Sequence, residues 1–236
     1  MIRLNELFPK IAATLGDEST RRFTFNQSAL SPVPSEVESN DLGLIKSLHY
    51  YNDCFRTDRL TFFAKKEAYQ DLALLFLSVA FNPEAPPVSM HLRNRVSEIR
   101  QIAISCVRIE SGVVEGYEKR PLRFEYVARE IESRHPWECV LSRMPSHQLP
   151  SFELTQSGKD GQSCSWEDRD SIQCRFGDEG HVLFAELLLN MSRQRNQTTE
   201  IDLESVGRRW PALGAFSAEV RLCLPGAPSW HHGIEF

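Results

Sequence analysis

The chain has 236 residues, 41% of them hydrophobic and 25% charged, with a formal net charge of -5. That is enough apolar material for one large domain or two small ones with real cores. It argues against a dedicated nucleic-acid binder, which carries a basic excess or a basic stripe.

The first segment, MIRLNELFPKIAATLG, is interrupted by Glu6 and Lys10 and has no small-residue cleavage pattern, so it is not read as a signal peptide. Leu4, Leu7, Phe8, Ile11, Ala12 and Leu15 recur at helical spacing, which predicts a helix stopped at Gly16. Residues 17–40 are rich in Ser, Pro, Thr and Glu and read as a loop, with Phe23 to Phe25 as a possible short strand.

Three further helices are expected in the first half. Leu44, Ile45, Leu48, Tyr51 and Phe55 share a helical face and predict a helix over 41–55. The run LALLFLSVAF predicts a helix over 66–82, closed by Pro83, and it is too short to span a bilayer. Leu92, Val96, Ile99, Ala103 and Cys106 alternate at spacings of four and three, predicting a helix over 89–109. With the one before it, this would form an antiparallel helical hairpin.

After Gly116 the apolar period falls to two. Leu122, Phe124 and Tyr126 alternate with Arg123 and Glu125, Trp137, Cys139 and Leu141 with Glu138 and Val140, and Ile172, Cys174 and Phe176 with Gln173 and Arg175. Ile201 and Leu203, and finally Ala218, Val220, Leu222 and Leu224, repeat the pattern. Such alternation predicts half-buried strands with one wet face. The 157–165 stretch, SGKDGQSCS, reads as a turn-rich loop and lacks P-loop spacing.

The expected fold is therefore α+β: a helical N-terminal half packed with a mainly antiparallel C-terminal sheet that carries one buried helix. The expected division is 1–115 and 116–236, as two regions of one domain or as two domains. No internal repeat stands out.

The buried helix is FGDEGHVLFAELLLNMS, in which Leu183, Phe184, Leu187, Leu188 and Met191 gather on one face, Val182, Ala185 and Leu189 on the other, and Glu186 on the flank. Asp178 or Gly180 would cap its start, and acids suit the positive end of a helix. Asp178, Glu179 and His181 are read first as helix-start chemistry and second as a small acid/base cluster.

Six cysteines, Cys54, Cys106, Cys139, Cys164, Cys174 and Cys223, mostly sit inside apolar patterns and are expected as free thiols of a soluble, cytoplasmic protein. His135 and Cys139 would lie about 13 Å apart on a strand, so they do not make a metal pair. No nucleophile elbow, zinc spacing or dinucleotide fingerprint occurs, and no metal or cofactor is expected. Arg208-Arg209-Trp210 mixes cations with an aromatic, but no nucleic-acid motif surrounds it.

Glu200, Asp202 and Glu204 are spaced to make an acidic stripe on one face of a strand, within reach of Arg221 across the sheet. The last segment, APSWHHGIEF, offers Trp230, Ile234 and Phe236 as anchors. These features suggest a soluble, non-enzymatic interaction protein of adaptor, inhibitor or toxin-neutralising type. The alternative is a small hydrolase or transferase with a site around His135, Asp178 and His181, Cys139 and Glu179 included.

Overall fold

The computed structural model describes residues 1–8, 13–15, 22–25, 33–51, 55–82, 85–106, 124–127, 151–157, 165–194, 200–202 and 218–227. Three sheets and three helices occur among them. A four-stranded sheet has the order β12-β13-β6-β5, formed by Glu200–Asp202, Glu219–Cys223, Phe55–Ala64 and Leu42–Tyr51. A six-stranded sheet has the order β1-β4-β7-β8-β11-β10, formed by Ile2–Arg3, Glu36–Ser39, Val88–Leu92, Gln101–Cys106, Ser171–Phe176 and Ser151–Thr155. A small antiparallel sheet joins β2 (Ala13–Leu15), β3 (Arg22–Phe25) and β9 (Phe124–Val127).

The helices are α1 (Leu4–Leu7), α2 (Lys66–Phe81) and α3 (Asp178–Arg193). Helices α2 and α3 pack against each other. From Leu72 to Leu77 every side chain of α2 is buried, as expected of a helix that is apolar on all sides. Both helices and both large sheets feed one continuous core. At its centre Phe62, Phe152, Phe176 and Phe184 meet edge to face at centroid distances of 5.0–6.5 Å, and Phe76 stacks on Phe176 at 5.4 Å. Such pairs add about 1 kcal/mol each beyond their buried area.

The expectation of a helical N-terminal half is overturned. Residues expected as the helix 41–55 form strand β5 and the first residue of β6, and the two strands pair in register from Leu42↔Ala64 to Tyr51↔Phe55. Leu42 and Leu44 are buried on one face of β5, and Leu44 and Leu48 of the helical stripe fall on the same alternation. Short apolar runs do not separate the two periods by themselves.

The expected helix 89–109 is two strands and a turn, so no helical hairpin forms with α2. VSMHL buries Val88, Met90 and Leu92, and QIAISC buries Ile102 and Ile104, pure period-two patterns. Between them Asn94 makes an Asx turn, its side-chain oxygen accepting from the Val96 N–H at 3.0 Å. Ser97 then bonds both backbone groups of Leu44.

The first helix is also shorter than expected. It closes at Phe8, whose ψ of 139° is extended. Phe8 precedes Pro9, and proline drives the residue before it out of the helical region. Residues 13–15 then form β2. Within the expected loop 17–40, Glu36–Ser39 is a strand, paired in parallel with β7.

The expected mainly antiparallel C-terminal sheet is overturned too: the C-terminal strands are divided among the three sheets, and β11 and β13 pair in parallel with β8 and β6 of the first half. Several single elements do fall where expected. Helix α2, helix α3 and strands β3, β9, β11, β12 and β13 lie where the periodicity puts them. The expected strand around Trp137 and the boundary near Gly116 fall outside the described residues, as does most of the 157–165 loop.

Candidate functional site

Strand β12 is outermost in its sheet among the described strands, paired only with β13. In that antiparallel register Glu200 stands opposite Cys223, Ile201 opposite Leu222 and Asp202 opposite Arg221. The expected pairing of the acidic strand with Arg221 across the sheet is thus met at the level of register. The surrounding face is drier than the alternation implied. Cys223 is buried and Arg221 is half-buried. Glu219 is buried too, its carboxylate held by Arg59 of the adjacent strand at 3.0 Å. Glu204, Trp230 and Phe236 lie outside the described residues.

His181 is the fourth residue of α3 and is wholly buried, with 0% of its surface exposed. Its ring lies between Phe76 and Phe176, at 5.5 and 5.1 Å. Nε2 is 3.1 Å from the carbonyl oxygen of Ser105 on β8. A carbonyl only accepts, so Nε2 carries the proton and Nδ1 is the bare nitrogen. Nδ1 is buried without a hydrogen-bond partner. Burial drives the imidazole pKa down to about 4, with the Ser105 bond opposing weakly. His181 is therefore a neutral residue buried in the core.

The backbone of Asp178 and Glu179 opens α3, but the N-cap is Gly177, and no side chain caps the first turn. The stretch that seemed to pose an acid/base site is a helix start with a histidine turned into the core. His135 and Cys139 lie outside the described residues. Cys174 and Cys223 are buried free thiols, and burial pushes the Cys174 pKa up, away from a reactive thiolate.

Two polar clusters went unnoticed in the sequence. In the first, the Lys46 ammonium is clasped by three backbone carbonyls of one turn: Trp166, Glu167 and Arg169, at 2.8, 2.8 and 2.7 Å. The same ammonium lies 5.4 Å from the centre of the Trp166 ring. Arg169 pairs with Asp58 at 2.9 Å, and Asp168 and Asp170 accept from Ser165 and from the Ser157 N–H. Lys46 and the Arg169–Asp58 pair tie the 165–170 turn to strands β5 and β6, while Asp168 bonds within the turn and Asp170 holds Ser157, just after β10. A lysine on a strand and a turn 120 residues later carry no shared signal in sequence.

In the second cluster, Asp71 of α2 is half-buried near Asp41 and Glu67. Burial first, and the two neighbouring acids next, raise its pKa from 3.8 to about 6. Among the described residues no three His, Cys, Asp or Glu side chains converge as a metal would require. No helix among them is long and apolar enough to cross a membrane.

Against known proteins, no family model, curated protein or solved structure matches this chain.

Proposed function

We propose that the protein acts by binding another protein, as an adaptor, inhibitor or toxin-neutralising factor would. The contact surface is the acidic strand with Glu200, Asp202 and Glu204, beside Arg221, extended by Trp230 and Phe236. The observation that supports this reading is the place of β12. Among the described strands it is outermost, paired only with β13, and two of the three acids stand on it. Acids on an outer strand deter strand-to-strand aggregation and steer a basic partner toward that edge. A soluble, cytoplasmic setting suits the net charge and the free thiols. Nucleic acid does not fit as the partner of so acidic a chain.

The test begins with native mass spectrometry of what the tagged protein captures from its own source. Association with that partner is then timed for the triple variant Glu200→Lys, Asp202→Lys, Glu204→Lys at low and high salt. The expected result is an on-rate reduced about tenfold or more at low salt, with a flattened salt dependence. An unchanged on-rate would remove the strand from the interface.

A further inference from the structure

Strands β5 and β6, helix α2, and strands β7 and β8 form one ββαββ series; β10, β11, α3, β12 and β13 form another. The two match in element order and in register about the helix start. Each helix has 16 residues and starts after a single residue that follows its strand, Lys65 or Gly177. Each outer strand is antiparallel to the next: Leu44 opposes Phe62, and Phe152 opposes Cys174, both four positions before a helix start.

The last hairpin of each series does not return to its own first hairpin. β8 pairs in parallel with β11, and β13 pairs in parallel with β6. The registers agree: Cys223 faces Phe63, and Ser105 faces Arg175, each three positions before its helix. The junctions are alike, with the donor shifted by two positions. The Leu44 carbonyl accepts from the Glu98 N–H, just before β8, at 2.9 Å, and the Phe152 carbonyl from the Ala218 N–H, just before β13, at 2.8 Å. Hydrogen bonds therefore run in a closed circuit through β5, β6, β13, β10, β11 and β8.

The fourth residue of each helix keys the exchange. Tyr69 puts its hydroxyl 2.8 Å from the Cys223 carbonyl, and His181 puts Nε2 3.1 Å from the Ser105 carbonyl. Cys223 and Ser105 are the equivalent positions of β13 and β8. The identity in the helices is low: Glu67/Glu179, Ala73/Ala185, Leu75/Leu187 and Leu77/Leu189 are the only identical pairs in sixteen positions. The repeat is kept in architecture, not in residue identity.

We infer that β5 to β8 with α2, and β10 to β13 with α3, are two copies of one ββαββ unit, interlocked by exchange of their C-terminal hairpins, so that neither copy is a folding unit by itself; β1 to β4, α1 and β9 lie outside the repeat. The pair has the organisation of a hairpin-swapped homodimer joined into one chain. Each sheet is completed by the other copy, and each helix holds a strand supplied by the other copy.

Two measurements on the full chain test this. In the first, a specific protease site is placed between residues 128 and 150, and the folded protein is cut there. The expected result is that both fragments stay in one particle of the intact mass and unfold in a single urea transition, seen alike by tryptophan fluorescence and far-ultraviolet circular dichroism. Separation of the fragments, or two transitions, would overturn the inference. The second needs no variant. Hydrogen exchange of the uncut protein should show the amides of β6, β8, β11 and β13 protected within about tenfold of one another. Protection of β8 together with β6 but a hundredfold or more apart from β11 and β13 would mean two independent units, and the inference would fall.

Discussion

Arg59 on β6 and Glu219 on β13 stand opposite each other across the parallel strand pair that joins the two halves of the chain. Nη2 and Nε of the arginine lie 3.0 and 3.1 Å from the same carboxylate oxygen, with side chains 13% and 9% exposed. Charges so nearly sealed from water have lost most of their hydration, and removing one takes from the other a close, nearly buried counter-charge. Glu219→Ala is expected to cost about 3 kcal/mol in urea unfolding. The double variant Arg59→Met, Glu219→Leu should cost less than Glu219→Ala alone, because it removes both charges and refills the space. A double variant worse than the single would mean that the pair is a net source of stability.

His181 makes stability depend on pH in a stated direction. Its folded pKa of about 4 lies below the ordinary 6.5, so between those values the unfolded chain binds the proton and the folded one does not. Stability is then greatest above pH 6.5 and falls as the pH drops toward 4. The depression corresponds to about 3 kcal/mol across that window. His181→Phe keeps a ring between Phe76 and Phe176 and removes the titration. Its unfolding free energy, followed by urea melts from pH 7 to 4, should fall less steeply than that of the parent. Parallel curves would show that His181 is not the group responsible.

Asp71 works in the opposite sense over nearly the same range. Its folded pKa of about 6 lies above the ordinary 3.8, so the folded chain holds the proton more tightly. Its contribution is favourable below about pH 4 and is lost as the pH rises through 6. The side chain is half-exposed and screened, so the effect is put at about 1 kcal/mol. Asp71→Asn should raise stability by that amount at pH 7 and leave it unchanged near pH 4. In the parent protein the Asp71 and His181 slopes partly cancel, and the two variants measured together separate them.

What could be read from the sequence followed the burial of each element. Helix α2 and helix α3 have long, nearly uninterrupted apolar runs, and strands β11 and β13 alternate cleanly; all four were legible. Strands β5, β7 and β8 were not, because Leu44, Leu48 and Leu92 suit a strand and a helical stripe alike, and only pairing with distant strands decides between the two. For β7 and β8 the alternation of Val88, Met90 and Leu92, and of Ile102 and Ile104, was present in the sequence but was outweighed by a longer helical stripe. His181 looked chemical because it followed two acids. Its partner, Ser105, is 76 residues away and contributes only a backbone carbonyl, which no side-chain pattern reports. The repeated unit was hidden for the same reason: Tyr69 and His181 do one task with different chemistry.

Lys46 allows the sharpest separation between charge and shape. Three carbonyls of the 166–169 turn converge on its ammonium, and hydrogen bonds to a charged donor are individually stronger than neutral ones. Lys46→Met keeps most of the stem and loses all three; a cost of about 2 kcal/mol is expected, reduced from the sum because part of the cluster is exposed to water. Lys46→Arg keeps the charge but replaces a compact, three-donor head with a planar fork that cannot aim at three converging oxygens. It should therefore cost nearly as much as Lys46→Met in urea unfolding, and in both variants amide exchange of residues 165–170 should quicken while that of the β6–β13 pair stays as it was. If Lys46→Arg were as stable as the parent, the turn would be held by net charge alone, and the convergence of the carbonyls would have no energetic role.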